Sequence, residues 1–210
     1  MILTMEQIAP RRIIPVVVIE DYQCAAPLRA ALMRGGLDCA EITCRTSAAI
    51  DAISAMAEDP GFVVGAGTVT TVDQVEQVVR AGAQFVVSPG LSDSVVRACA
   101  DAGVPCVPGT VTATEVMRAI ELGVTTVKFF PAETNGGLAA ITALGGPFPS
   151  IRFVPTGGIR LSSLGTYLAS PAVAAVGGTW LTPIEAQRTG DFASIERLVA
   201  ESVAVSKAAA

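Results

Sequence analysis

Two lysines occur in the 210 residues, and one of them, Lys128, stands inside a segment that otherwise reads as a buried strand. The run is Val124-Thr-Thr-Val-Lys-Phe-Phe-Pro-Ala-Glu133, whereas Lys207 lies in an Ala-rich tail. Desolvating an ammonium among Val and Phe is costly, so such a position favours the neutral amine. A neutral lysine in an apolar pocket attacks carbonyl carbons and forms Schiff bases. A lysine at a strand end whose head reaches back to water would fit the same position, so the choice rests on what else converges there. The chain contains no histidine. That excludes Ser-His-Asp and Cys-His pairs and histidine-ligated zinc. Proton transfer near pH 7 is left to a carboxylate, an amine, a thiol or water.

Glu41 is the leading carboxylate. It sits in the strand-like run Cys39-Ala-Glu-Ile42, where a buried acid needs a partner. Arg45, four residues on, could be that partner in a structural ion pair. The functional reading separates the two: Glu41 moves protons near the lysine, and Arg45 grips a substrate carboxylate with its planar fork. Glu133, five residues past Lys128, is a weaker competitor for the proton-transfer role and reads as structural. Thr68 and Thr156 could be helix N-caps or ligands of substrate oxygens, and Thr179 could cap the last strand's loop.

The elements that must position these groups alternate along the chain. Short β-rich runs fall at 13–19, 38–42, 62–65, 84–88, 104–108, 125–129, 152–154 and 173–176. Helical patterns fall between them, near 22–34, 46–58, 71–81, 92–102, 112–122, 136–144 and 161–169, with a last one over 191–206. Ser47, Thr71, Ser92, Thr112 and Ser162 are plausible caps, and recurrent Gly marks helix ends. Eight strands alternating with eight helices predict an α/β protein of the (β/α)₈ TIM-barrel class, as a single domain spanning 1–210. A short extra helix near 3–9 would close the barrel bottom. A doubly wound sheet is the competing architecture, but no Gly-rich turn opens after the first strand.

In such a barrel the chemistry lies at the C-terminal ends of the strands. Those ends collect Glu41 with Arg45, Gly65-Ala-Gly-Thr68, Ser88-Pro-Gly90, Pro108-Gly-Thr110, Lys128, Pro155-Thr-Gly-Gly-Ile159 and Gly177-Gly-Thr179. The two Gly-Gly turns follow the seventh and eighth strands, where bare backbone N–H groups and a helix N-terminus cradle phosphate. Ordinary tight turns would also use glycine, but two Gly-Gly pairs in those adjacent loops favour a phosphate site.

Composition narrows the partners. Apolar residues make up 51% and charged ones 16%, which suits a parallel sheet buried on both faces. The net charge is −5 and the arginines are scattered, so no basic stripe points to nucleic acid. The longest uncharged stretch, Leu161 to Ile184, is broken by Gly, Ser and Pro, so no membrane span is expected. No basic start followed by an apolar segment suggests a secretion signal. Five cysteines without a Cys-x-x-Cys spacing read as reduced thiols of a cytoplasmic protein.

The strand-end segments resemble the 2-keto-3-deoxy-6-phosphogluconate (KDPG) and 4-hydroxy-2-oxoglutarate (KHG) aldolases, class I pyruvate aldolases of the Entner–Doudoroff pathway. The resemblance runs from about Ile13 to Gly190 and rests on many ordered matches. Among them are Ile14-Pro-Val-Val17, Glu41-Ile-Thr-x-Arg-Thr46, Gly65-Ala-Gly-Thr-Val69, Ser88-Pro-Gly90, Lys128-Phe-Phe-Pro-Ala-Glu133, Pro155-Thr-Gly-Gly-Ile159 and Gly177-Gly-Thr-Trp-Leu181. It implies that Lys128 is the Schiff-base lysine and Glu41 the proton-transferring acid. Arg45 and Thr68 would hold the pyruvyl carboxylate, and Pro89 and Phe130 would line the pyruvyl pocket. Thr156 would help select stereochemistry, and backbone at Gly157, Gly158 and Gly178 would bind phosphate. Thr179 stands where the family often has Ser, and Cys44 where Leu is commoner. Thr156 with Ser88-Pro-Gly90 looks like the gluconate rather than the galactonate type. The resemblance further implies a small-molecule substrate, no cofactor, no metal and a homotrimer. A divalent-metal aldolase using Glu41 and an Asp, a sugar-phosphate isomerase on the same barrel, and a non-catalytic barrel are the competing readings.

Overall fold

Each strand of this chain is apolar on both faces, and period-two alternation sends its side chains to two different cores. The computed structural model describes residues 2–209. Helix α1 (Met5–Ile8) precedes β1 (Ile13–Val17), and then come α2 (Ala25–Gly35), β2 (Cys39–Thr43), α3 (Ala49–Ala57), β3 (Val63–Gly67) and α4 (Val72–Arg80). These lead into β4 (Phe85–Val87), α5 (Asp93–Asp101), β5 (Cys106–Val107), β6 (Gly109–Thr110), α6 (Ala113–Glu121) and β7 (Thr126–Phe129). The chain ends with α7 (Gly137–Gly145), β8 (Arg152–Pro155), α8 (Leu161–Leu168), β9 (Val176–Gly178), α9 (Ile184–Thr189) and α10 (Phe192–Ala208).

All strand pairs are parallel, in the orders β5-β4-β3-β2-β1-β9 and β6-β7-β8. β5 and β6 are two halves of the fifth barrel strand, divided at Pro108, which has no N–H to give the ladder. Parallel bridges Phe153↔Val173 and Thr156↔Gly177 join β8 to the last strand and complete the circle. The result is the (β/α)₈ barrel expected from the alternation. At this closing seam the carbonyls of Val173 and Ala174 are taken by guanidinium groups. Arg12 donates to them at 2.7 and 3.1 Å, and Arg152 donates to Val173 at 3.1 Å.

Outward residues such as Ile13, Ile42, Val64, Val86, Val127, Phe129 and Phe153 pack under the helices. Inward residues Ile14, Cys39, Phe85, Val87, Val107, Val154 and Ala175 form a separate core inside the barrel. Ile8 and Ala9 join that inner core, so α1 plugs the bottom as the sequence suggests. Its start is fixed by a capping box between Thr4 and Gln7. Phe85 fills the middle of the barrel over Gly65, where an added Cβ would lie 2.3 Å from the ring.

Thr71 and Thr112 cap α4 and α6 as anticipated, each in a box with Gln74 or Glu115. Ser92 occupies the N-cap of α5, but its hydroxyl pairs with Ser94 instead. Ser47 and Ser162 do not cap: α3 begins after Ala48, and the N-cap of α8 is Arg160. Helix α9 was not anticipated, because six residues are too few to display a 3.6-residue period. The long α10 lies against α2 at Gly35, where any Cβ would sit 2.5 Å from Val199. No helix among the described residues is long and apolar enough to cross a membrane.

Phe85→Ala should remove the central plug of the inner core and destabilise the protein by about 3–5 kcal/mol. Urea unfolding measures this, and a loss below about 1 kcal/mol would mean that the barrel collapses onto the space.

Candidate active site

Inside the barrel, position in the pleat decides what each strand contributes. Glu41 pairs in register with Gly65 and Val16, and Lys128 with Gly109 and Val154, so both side chains point to the axis. They are the only charged side chains buried among the described residues, at 3% and 4% exposure. Their heads meet across the barrel: Lys128 Nζ donates to Glu41 Oε1 at 3.2 Å. The Phe130 ring lies beneath the ammonium, its centre 5.2 Å away, a cation–π contact.

Glycines make this meeting possible. A Cβ on Gly67 would fall 2.1 Å from Glu41 Oε1, the oxygen that bonds Lys128. A Cβ on Gly109 would fall 2.1 Å from the carbonyl oxygen of Pro89. The turn after β4, tied by a 2.7 Å bond from Ser88 Oγ to Gly90, therefore crosses directly over the strand beside Lys128. Gly67 escaped the sequence reading. Its signal was present: it stands two residues past Gly65 on the same strand face, where the end of the acid's side chain reaches.

Arg45 is exposed just past β2 and does not pair with Glu41. Its Nε donates to Thr68 Oγ1 at 3.1 Å. Thr68 is not an N-cap, since Thr71 caps α4. It holds a left-handed backbone with φ of 60°, strained for a β-branched residue by about 1–3 kcal/mol. That conformation puts its hydroxyl against Arg45, on the rim above Glu41. Thr156, at the end of β8, is buried, packs over Gly177 and makes only a long 3.5 Å bond to the Val154 carbonyl. It does not cap α8 either.

Beyond Thr156, Gly157 and Gly158 take φ values of 102° and 82°, open to residues without a Cβ. Among the described residues the N–H groups of Gly158 and Ile159 find no protein acceptor, while that of Gly157 faces Gly177 in the bridge that closes the barrel. They precede α8, so unpaired donors and a helix N-terminus coincide. Gly178 ends β9 in the adjacent position, where a Cβ would strike the Trp180 ring, and exposed Thr179 follows. Trp180 is anchored by its Nε1 bond to Ser202.

Glu133 is exposed and accepts a hydrogen bond from Tyr167 at 2.5 Å, while the bond from Lys128 goes to Glu41. Tyr167 was not singled out from the sequence, although a buried Tyr in a helix must find a partner for its hydroxyl. Cys44, three residues after Glu41, has its thiol pushed up by burial and then by the negative charge of Glu41. A protonated thiol cannot serve as base near neutrality, which leaves the carboxylate. No group of three Cys, Asp or Glu side chains among the described residues could hold a metal ion.

Clefts of about 660 and 640 Å³ lie around α1 at the barrel bottom. Their walls carry no buried charge, whereas Glu41 and Lys128 lie toward the strands' C-terminal ends at the opposite mouth. The buried charges decide in favour of the top.

Residues 5–198 match the family model described as KDPG and KHG aldolase. The chain belongs to this aldolase family. The 2-dehydro-3-deoxy-phosphogluconate aldolase of Treponema pallidum is 47% identical over 206 residues, 98% of each chain. The KDPG aldolase of Zymomonas mobilis, solved with 3-phosphoglycerate, superposes with a TM-score of 0.88 at 41% identity, covering 95% of this chain and 93% of that one. The KDPG aldolase of Legionella pneumophila, solved with pyruvate captured at low pH as a covalent carbinolamine intermediate, gives 0.89 at 38% identity over 93% and 95%. The first two relatives span nearly the same length as this aldolase, so the likeness extends to the whole barrel.

Gly67→Ala should displace the Glu41 carboxylate by about an ångström and lower turnover roughly a hundredfold while the barrel still folds. Steady-state kinetics beside circular dichroism test this, and unchanged turnover would show that Glu41 need not occupy its observed place.

Proposed function

We propose that this chain is a class I aldolase that reversibly cleaves 2-keto-3-deoxy-6-phosphogluconate to pyruvate and glyceraldehyde 3-phosphate. The observation that carries the proposal is the buried contact between Lys128 Nζ and Glu41 Oε1. An amine and a carboxylate in hydrogen-bond contact, out of water, can exchange the proton that separates ammonium from nucleophile.

The steps follow from that pair. Lys128 passes a proton to Glu41 and attacks the C2 ketone, forming a carbinolamine. Glu41 returns the proton to the C2 hydroxyl, water departs, and an iminium remains. Glu41, directly or through a water, then takes the proton of the C4 hydroxyl. The C3–C4 bond breaks, its electrons flow into the iminium to give an enamine, and the aldehyde leaves. Protonation of the enamine at C3 restores an iminium, and water hydrolyses it to pyruvate and free Lys128. The lysine is the electron sink, so the sequence of steps needs no cofactor or metal.

The surrounding residues fix the substrate in this reading. Arg45 and Thr68, already joined by a 3.1 Å bond, hold the pyruvyl carboxylate. Pro89 and Phe130 wall the three-carbon pocket, and Thr156 reads the C4 hydroxyl. The backbone at Gly157 and Gly158, where the Gly158 amide is unpaired, receives the phosphate, with Gly178 and Thr179 opposite. 4-Hydroxy-2-oxoglutarate shares the pyruvyl half, so cleavage to pyruvate and glyoxylate is a second activity of the same site. A homotrimer acting in the cytoplasm on the Entner–Doudoroff intermediate completes the proposal. The carbinolamine in the Legionella relative and the phosphoglycerate in the Zymomonas relative are the chemistry and the ligand class that this reading requires.

Incubation with pyruvate and sodium borohydride should place a reduced pyruvyl adduct on the peptide containing Lys128, read by mass spectrometry. Lys128→Ala should abolish both adduct and turnover. An adduct elsewhere, or substantial aldolase activity in that variant, would overturn the Schiff-base assignment. Glu41→Gln should slow turnover about 10²–10⁴-fold with the adduct still detectable. Unchanged turnover would assign the proton transfers to another group.

A further inference from the structure

The Gly157–Gly158 turn does not hold its own shape. Two consecutive left-handed glycines cost backbone entropy to order, and the Gly158 amide contributes nothing to holding them. The bridge to Gly177 ties the start of the turn to the last strand, and the segment after β7 holds the rest. The N–H of Ala132 donates to the Thr156 carbonyl at 2.8 Å, and the N–H of Glu133 donates to the Gly157 carbonyl at 3.1 Å. With both carbonyls turned toward that segment, the Gly158 and Ile159 amides are left free for a ligand.

The segment is braced within itself by Asn135, whose Nδ2 donates to the Pro131 carbonyl at 2.7 Å, and is tied to α8 by a single side-chain bond. Glu133 Oε1 accepts from the hydroxyl of Tyr167, a residue only 3% exposed on α8. Helix α8 begins immediately after the turn, so the chain of contacts closes on itself: turn, segment, Glu133, Tyr167, helix, turn. Packing around this ring is close. A Cβ on Gly158 would lie 2.7 Å from Glu133 Cβ and Cγ, and one on Gly137 would lie 2.9 Å from the Tyr167 hydroxyl. Burial, and then the Glu133 carboxylate, push the Tyr167 phenol up, so it stays a donor across the working pH range.

A carboxylate in contact with the proposed phosphate turn is an electrostatic cost to binding a dianion, because like charges repel. Attraction therefore cannot be what Glu133 supplies there. We propose that Tyr167 and Glu133 are positioning residues that hold the Gly157–Gly158 turn in its phosphate-accepting shape. The inference rests on the reading of that turn as the phosphate site. It makes the pair a determinant of selectivity for phosphorylated over unphosphorylated 2-keto acids, acting without touching the reacting atoms.

The test uses the full chain with 2-keto-3-deoxy-6-phosphogluconate and with 4-hydroxy-2-oxoglutarate, which has no phosphate. In Tyr167→Phe, KM for the phosphorylated substrate should rise roughly tenfold or more, the loss of one hydrogen bond to a charged acceptor. Its kcat, the kinetics on 4-hydroxy-2-oxoglutarate and the borohydride-trapped pyruvate adduct should stay near wild type. Glu133→Ala should behave like Tyr167→Phe, whereas Glu133→Gln keeps the acceptor, sheds the charge and should hold KM at or below the wild-type value. An equal loss on both substrates would reduce the pair to structural support and overturn the proposal, as would an unchanged KM in Tyr167→Phe and Glu133→Ala. Inorganic phosphate on the wild-type enzyme separates the two layers. Competition against the phosphorylated substrate supports the turn as phosphate site, and failure to compete, with no wild-type preference for that substrate, would remove that reading and this one together.

Discussion

The rest of this structure is arranged around one costly fact: an ammonium and a carboxylate meet in the barrel interior with almost no access to bulk water. Removing such ions from solvent costs several kcal/mol each, and their attraction offsets that only in good geometry. An apolar pair of similar volume would fill the same space more cheaply. The barrel tolerates the pair because it is deep in packing elsewhere, with separate cores inside the strands and between strands and helices. In the proposed mechanism the same burial serves the chemistry, since water does not compete for a proton passed between amine and carboxylate.

The barrel's layers assign stability and chemistry to different ends. At the bottom, α1 and inward residues such as Ile14, Cys39 and Val107 form a dry plug, with Phe85 in the middle. At the top, bulky inward residues give way to Gly67, Gly109 and Gly177, and the vacated volume is taken by the Glu41 and Thr156 side chains and by the backbone at Pro89. Glycine in a strand interior ordinarily weakens it. Here the lost packing is what lets Glu41 reach Lys128 and the Pro89 turn reach across β6. Strain concentrates at the same end, at the left-handed Thr68 beside Arg45.

Much of this was legible from residue order. Lys128 was visible as a lone cation in an apolar run, and the absence of histidine left Glu41 as the natural acid. The strand and helix alternation gave the barrel, because buried parallel strands are continuous apolar runs while their covering helices are amphipathic. The shortest elements were not legible. The six residues of α9 span fewer than two helical periods, β9 was anticipated three residues early, and the fifth strand's division at Pro108 follows from a missing donor. Ser47 and Ser162 looked like caps, but a cap depends on where the first turn begins, and neighbouring packing sets that.

The sequence by itself determined the kinds of chemistry available: one buried amine, a nearby acid, an arginine, and glycine-rich turns at strand ends. Those are consequences of residue type and local period, which short windows carry. Only the tertiary structure decided the pairings. Glu41 could have bonded Arg45 four residues away; instead it bonds Lys128, 87 residues on, because strand register turns both inward at the same height. Arg45 is thereby left to Thr68, and Glu133 is taken by Tyr167 rather than by the lysine five residues before it. Nearness in sequence cannot predict such choices, since barrel closure and pleat direction fix which side chains share a volume.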